Sequence, residues 1–159
     1  MNKAMRKVDY LELSECLNMI QLSYKDRNKR LGFNEDEGHA KMTLDELKEM
    51  YENNIQMFSY SLNDKIIGFI SFEIKESHIK IKDLVVSPEY QKEGIGTILI
   101  NFSKEYLEKN KKEVLKLGMI YENKELLNWY QKQGFTITDI IEYPNTVLKT
   151  AKMEYRKDW

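Results

Sequence analysis

The stretch "SPEYQKEGIGTILI", residues 87–100, decides how the rest of the chain is read. Gly94 and Gly96 stand one residue apart where an alternating apolar run ends and a helical period begins. Upstream, "HIKIKDLVV" alternates from Ile79; downstream, Ile95, Ile98, Leu99, Phe102 and Tyr106 fall on one face of a helix. Glycine at such a junction lets backbone N–H groups approach a ligand, and a helix start favours an anion. A tight turn with no ligand is the plain alternative. Two phosphate-binding patterns fail here. A Walker loop needs a lysine directly after its last glycine, and Thr97 follows Gly96. A dinucleotide fingerprint needs a third glycine three residues on, and Leu99 stands there.

Outward from this stretch the chain divides into short periodic elements. Residues 5–12 are expected to form a first strand, with Ser14 as N-cap of a helix over about 15–25. "RLGFNEDEGHAK" is polar and irregular, a loop. "TLDE" at 43–46 is a capping box that opens a helix to about Asn53. "IQMFSYSLND" and "KIIGFISFEIK" read as strands joined at Asn63-Asp64, and the run from Ile79 makes the third strand of that meander. "VLKLGMI" (114–120) is a further strand, and Asn123 caps a short helix ending at Gly134. "FTITDIIEY" and "TVLKTAKMEY" are two last strands around Pro144-Asn145. The expectation is a mixed sheet of six or seven strands with about four flanking helices, an α+β or α/β layered protein.

Composition narrows the function classes. A chain of 159 residues suits a single domain with one substantial core, taken here as 1–159. Its 25 basic and 26 acidic residues nearly cancel, leaving no basic field to hold a nucleic acid. Cys16 is the only cysteine, which excludes an internal disulfide and a multi-cysteine metal site; among Leu13, Leu17 and Ile20 it reads as a small buried hydrophobe. His39 and His78 have no His or Cys partner at ligand spacing and are expected on the surface, so no metal is anticipated. There is no apolar signal core and no run of membrane length, which makes a cytoplasmic protein without a membrane partner the expectation.

The pattern left by elimination is Q-x-x-G-x-G-T after "DLVVSPEY", and there the chain resembles the GNAT superfamily of N-acetyltransferases. The pyrophosphate loop of that family reads [Q/R]-x-x-G-x-[G/A] after an apolar strand, and Gln91, Gly94 and Gly96 take those three places. A second segment, "NKELLNWYQKQGF", is similar to the family's N-x-x-x-x-x-x-Y-x-x-x-G-F, with Asn123, Tyr130, Gly134 and Phe135 in register. The order of elements agrees over about residues 5–157.

The resemblance implies acetyl-CoA as co-substrate. Backbone N–H groups of Lys92, Glu93, Gly94, Ile95, Gly96 and Thr97 would wrap the CoA pyrophosphate, with Gln91 at the head of the loop and a hydroxyl from Thr97. The pantetheine arm would lie along Leu84, Val85 and Val86, which can equally be plain core residues. Two departures stand out: Gln91 replaces a frequent arginine, and Glu93 sets a carboxylate where basic or small residues are usual. Asn123 is both a helix cap and an implied CoA contact.

Acetyl transfer to an amine needs a neutral amine, a polarised thioester and a proton for the departing thiolate. An alkyl amine has a pKa of about 10, so a base or a water chain must accept its proton. Tyr130 matches the family's acid: a phenol of pKa about 10 suits a thiolate of pKa about 8–9. Core packing on the helix face of Leu126, Trp129 and Gln133 is its other reading. Glu73, in phase with Phe69 and Ser71, and Asp83, in phase with Ile79, Ile81 and Val85, are the candidate bases. Glu73 also reads as an ordinary solvent-facing strand residue, and Asp83 as a hydrogen-bonded cap on a bulge.

The acceptor, a small-molecule or peptide amine, would be received by residues 25–42 and by the loop around 142–147, by the resemblance. The acidic run Glu35, Asp36 and Glu37 can attract a cationic amine or simply be a solvated loop. A domain that binds acyl-CoA as a sensor or partner module without turnover is the rival class; release of free thiol in the presence of amines separates the two. The final strands often pair chains in this fold, which leaves room for a homodimer.

Overall fold

A computed structural model of the chain describes residues 3–157. Its strands are β1 (Lys3–Lys7), β2 (Gln56–Leu62), β3 (Lys65–Ile74), β4 (Ile79–Val86), β5 (Val114–Ile120), β6 (Thr136–Glu142) and β7 (Lys149–Arg156). Its helices are α1 (Leu13–Arg30), α2 (Leu44–Glu52), α3 (Ile95–Lys109) and α4 (Lys124–Lys132), with short 3-10 turns at Tyr10–Glu12, Gly38–Lys41 and Pro88–Tyr90. The strands form one mostly antiparallel sheet in the order β1-β2-β3-β4-β5-β7-β6. This is the α+β architecture expected from the periodicities.

Local chemistry explains most boundaries. Asn63 and Asp64 have φ of 50° and 66°, the doubly left-handed turn whose twist suits a two-residue hairpin. Thr43 Oγ1 accepts from the Glu46 amide at 3.1 Å while Glu46 Oε1 accepts from the Thr43 amide at 3.1 Å, so the capping box forms. Gly134, with φ of 98°, ends α4. The N-terminal expectation needs correction. The first strand stops at Lys7, and Asp9, rather than Ser14, supplies the cap: its carboxylate accepts from the Leu11 amide at 3.0 Å. The 3-10 turn it starts at Tyr10 runs straight into α1, which begins at Leu13, ahead of the start that a Ser14 cap allows.

The chain forms two compact units. The first is made of the chain up to Glu73 together with Lys82–Leu99, the second of Ile74–Ile81 and everything from Ile100 onward. The core of the first unit gathers Val8, Leu13, Cys16, Met19 and Ile20 with Met42, Leu47, Met57, Phe69 and Val85. In the second, β5 pairs with β7 and β7 with β6, both antiparallel, around Leu115, Leu117, Ala151 and Met153.

Two features of β3 position the functional loop of the first unit. The β2–β3 register slips between Tyr60↔Gly68 and Ser61↔Ile66, and the skipped residue, Ile67, gives its carbonyl to the Ser87 amide at 2.8 Å. Gly68 lies under the start of α3: a Cβ there would sit 3.3 Å from Ile95 Cγ2, 3.3 Å from Tyr60 Cβ and 3.4 Å from Leu99 Cδ1. Glycine is what lets the first turn of α3 rest on the sheet. Gly68→Val should lower the unfolding free energy by about 1–3 kcal/mol, read by urea denaturation, because backbone and two packed side chains must move to admit the branched group. An unchanged midpoint would mean that the helix start is not in contact with the strand.

Candidate active site

The loop after β4 is built to present backbone donors. Gln91 Nε2 donates to the Val86 carbonyl at 3.3 Å, and Ser23 Oγ of α1 donates to the same oxygen at 2.9 Å, so the end of β4 is fastened from two sides. Backbone φ then alternates in sign, from −68° at Gln91 to 65° at Lys92 and 85° at Gly94. Alternation of this kind lines an anion-binding concavity with successive N–H groups. At Gly94 an added Cβ would meet no atom within 4 Å; the residue serves its conformation rather than a tight space. The Gly94 carbonyl accepts from the Ile98 amide at 3.2 Å, opening α3. The amides of Gly94, Ile95, Gly96 and Thr97 therefore precede any intrahelical acceptor, at the positive end of the helix dipole. Ile95 is buried and holds the turn down, while Lys92 and Glu93 are exposed. The Glu93 side chain is thus not packed into the loop.

The strand before the loop is only briefly shared. Among the described residues, the parallel ladder of β4 with β5 comprises Ile79↔Leu115 and Lys80↔Lys116. Leu84 and Val86 are half-buried, Val85 is buried, and none of the three belongs to that ladder. A strand edge left outside its ladder offers backbone N–H and C=O groups to an extended ligand.

Asp83 sits on this strand with its side chain 1% exposed. Its phase with Ile79, Ile81 and Val85 is as read from the sequence, and all four are buried. An isolated carboxylate there would cost several kcal/mol, so partners are required. Oδ1 lies 2.8 Å from His39 Nδ1 and accepts from the Tyr24 hydroxyl at 3.1 Å; Ser71 Oγ donates to Oδ2 at 3.4 Å. Four elements meet at one carboxylate: β4, β3, α1 and the turn Gly38–Lys41. Glu73 lies two residues beyond Ser71 on β3 and so shares that face; it is half-buried and has partners of its own.

The irregular segment between α1 and α2 is held by a side chain that the sequence did not mark. Asn28, 1% exposed, donates from Nδ2 to the carbonyls of Glu35 and Glu37, both at 3.1 Å. The acidic run is exposed, and Asp36 pairs with Lys25 at 3.5 Å. An open groove of about 660 Å³ runs beside this segment, lined by His39, Lys41, Met42, Glu49, Met50 and Lys82 among others. His39 thus joins the buried carboxylate to the groove.

In the second unit, Asn123 Oδ1 accepts from the Leu126 amide at 3.3 Å and caps α4. Tyr130 is 6% exposed and its ring stands between Trp129, at 5.0 Å, and Phe135, at 5.5 Å, both edge-on. On α4 Leu127 and Tyr130 are buried, while Leu126, Trp129 and Gln133, which share the face read from the sequence, are half-buried. Cys16 is fully buried and its thiol is pushed up to about 12, mainly by desolvation, so it is no nucleophile. Among the described residues no cluster of His, Cys, Asp and Glu could hold a metal ion, and no helix is long and apolar enough to cross a membrane.

The model of the acetyltransferase (GNAT) family matches residues 17–135, well over half of the chain. The chain belongs to the GNAT family. It is 28% identical over 92 residues to an uncharacterized N-acetyltransferase of Methanocaldococcus jannaschii; the match takes in 54% of this chain but 41% of that protein, less than half its length. It is also 28% identical over 109 residues to the peptidyl-lysine N-acetyltransferase YiaC of Escherichia coli, covering 69% of each. Among solved structures, the PaiA N-acetyltransferase of Thermoplasma acidophilum in complex with coenzyme A shares the fold, with a TM-score of 0.76, 20% identity, and 99% of this chain and 100% of that one covered.

His39 and Tyr24 are what the sequence reading missed. Neither lies in a GNAT motif; His39 is exposed, as expected, and what was not foreseen is that its ring reaches Asp83. The usable signal was Asp83 itself: a carboxylate in an apolar phase demands a donor, and the chain has two histidines. The imidazole of His39 is held above its ordinary value, first by its hydrogen bond to Asp83 and then by the carboxylate charge, against partial burial and the nearby Arg27 and Lys82. A folded-state value raised above the unfolded one contributes stability in full below the unfolded value, and that contribution is lost as pH rises through the folded one. The stability gap between the native chain and His39→Gln should therefore be widest below about pH 6 and narrow above about pH 8, measured by urea denaturation. A gap independent of pH would show that the pair carries no charge coupling.

Proposed function

We propose that the chain acetylates a primary amine of a small molecule or a peptide with acetyl-CoA, as a single acetyltransferase domain over 1–159. The observation that carries this reading is the sign-alternating loop Gln91–Gly94 running into α3 directly after a strand edge outside its ladder. Diphosphate suits such a loop because its charge meets unshared amides and a helix dipole at once. Acetyl-CoA supplies an activated thioester. For this chain the amides of Gly94–Thr97 bind its pyrophosphate, with the Thr97 hydroxyl and Asn123 as further contacts. Backbone groups of Leu84–Val86 align the pantetheine arm, and the Val86 amide stabilises charge that develops on the carbonyl oxygen. Tyr130 gives a proton to the departing sulfur, and the carboxylates of Asp83 and Glu73 stand on the face where the amine must lose one. A primary amine as acceptor is supported by the peptidyl-lysine activity named for the Escherichia coli relative.

Two measurements test this. CoA at about a hundred times its Kd should raise the unfolding free energy by about 2.7 kcal/mol, seen as a clear rise in melting temperature. No stabilisation by CoA or acetyl-CoA would overturn the reading. In a thiol-release assay with acetyl-CoA and a lysine-containing peptide or spermidine, Tyr130→Phe should lower kcat by about 100-fold while CoA still stabilises the protein. Full kcat in that variant would remove Tyr130 as the acid.

A further inference from the structure

We propose that His39 is the general base of the acetyl transfer, with Asp83 as its positioning residue. The proposal rests on the acetyltransferase reading above and names the group that reading leaves open. Asp83 is the obvious acid–base carboxylate by position, yet its side chain is 1% exposed and both oxygens already accept hydrogen bonds. It cannot meet an incoming amine. His39 can: its side chain is 45% exposed and lines the groove beside the α1–α2 segment. With Nδ1 turned onto Asp83 at 2.8 Å, the tautomer is set and the Nε2 lone pair is left for substrate. Tyr24 fixes the ring from the side, edge-on at 5.0 Å, while its hydroxyl holds the same carboxylate oxygen. The anchor, Asp83, directly precedes Leu84–Val86, the stretch proposed for the thioester arm, so the base's anchor and the acyl donor share one strand.

The protons balance. The acceptor arrives as an ammonium ion; Nε2 of His39 takes one proton and the imidazolium rests against the Asp83 carboxylate. The freed amine forms the C–N bond as the C–S bond breaks. Its second proton replaces the one that Tyr130 gives to the thiolate, and His39 returns its own to solvent. Groups of both signs face the imidazole. Asp83 of β4 favours its charged form, while Lys82 of β4 and Arg27 of α1 oppose it; Lys41, Glu46 and Glu49 share the groove. The acidic limb of the rate profile should follow His39.

The test pairs kinetics with a direct titration. With acetyl-CoA and spermidine or a lysine-containing peptide, His39→Gln should lose about 100-fold in kcat near pH 7, with a KM little changed, and the loss should shrink as pH nears the amine's own pKa of about 10. Asp83→Asn should keep more activity and move the acidic limb to lower pH, since the group that raises the imidazole is gone. His78→Gln is the control and should leave the profile unmoved. By NMR, His39 should titrate above the ordinary imidazole value with its proton on Nδ1, and Asp83→Asn should bring it down. Unchanged kcat and an unchanged limb in His39→Gln would overturn the proposal, as would a rise in KM alone, which marks a loop-holding role. If CoA fails to bind, the acetyltransferase reading falls and this proposal with it, even where NMR finds the Nδ1 tautomer. If CoA binds and turnover is normal in His39→Gln, only the base assignment falls.

Discussion

A carboxylate between Ile81 and Val85 on a buried strand face has to be partnered, and the partners of Asp83 determine where much of the first unit lies. Ser71 answers it from β3, Tyr24 from α1 and His39 from the turn before α2. The neighbour of Tyr24, Ser23, fastens the Val86 carbonyl, so two consecutive residues of α1 tie down two points of β4 three residues apart. A helix tied at both points cannot rotate about its axis without losing one of them. Apolar packing alone, being non-directional, would not have fixed that rotation. The charge also supplies a direction for the irregular segment, which Asn28 holds by its carbonyls and His39 by its ring.

β4 performs opposing tasks along its length. Its first residues pair with β5, and its last three stay outside that ladder while its end is bolted to α1 and to the loop. The bulge at Ile67 serves the same end of the strand, because the carbonyl of the skipped residue takes the Ser87 amide. The polar groups near the loop are thus consumed at Val86 and Ser87, while Leu84 and Val85 lie outside the ladder with β5. Gly68 completes the arrangement by letting Ile95 and Leu99 sit against the sheet, which sets the height of the helix start.

What could be read beforehand follows a physical division. The hairpin at Asn63-Asp64, the capping box at Thr43 and the glycine end of α4 are local: each is decided within about five residues, and each appears as read. The turn after β4 was legible for the same reason, since positive φ and a helix start leave marks in adjacent residues. The N-terminal helix start was misread because Ser14 and Asp9 both suit a cap, and a 3-10 turn continuous with α1 allowed the earlier one to be used. The His39–Asp83 pair spans 44 positions and obeys no spacing rule. Only the cost of burying Asp83 pointed toward it.

The same division explains why the motifs speak for the donor and not for the acceptor. A site made of backbone amides depends on conformation, which few residue types can supply, so its glycines mark it in the sequence. In the function proposed, an amine would be received by side chains on the segment whose backbone Asn28 holds, and those side chains are free to differ. Proton removal falls between the two cases. It needs one imidazole or carboxylate with an open lone pair, and any neighbouring element that reaches the strand can carry it. In this chain the strand contributes the charge and the loop contributes the ring. A base assembled in that way belongs to the fold's tertiary contacts rather than to any motif, and identifying it requires following the buried carboxylate to its partner.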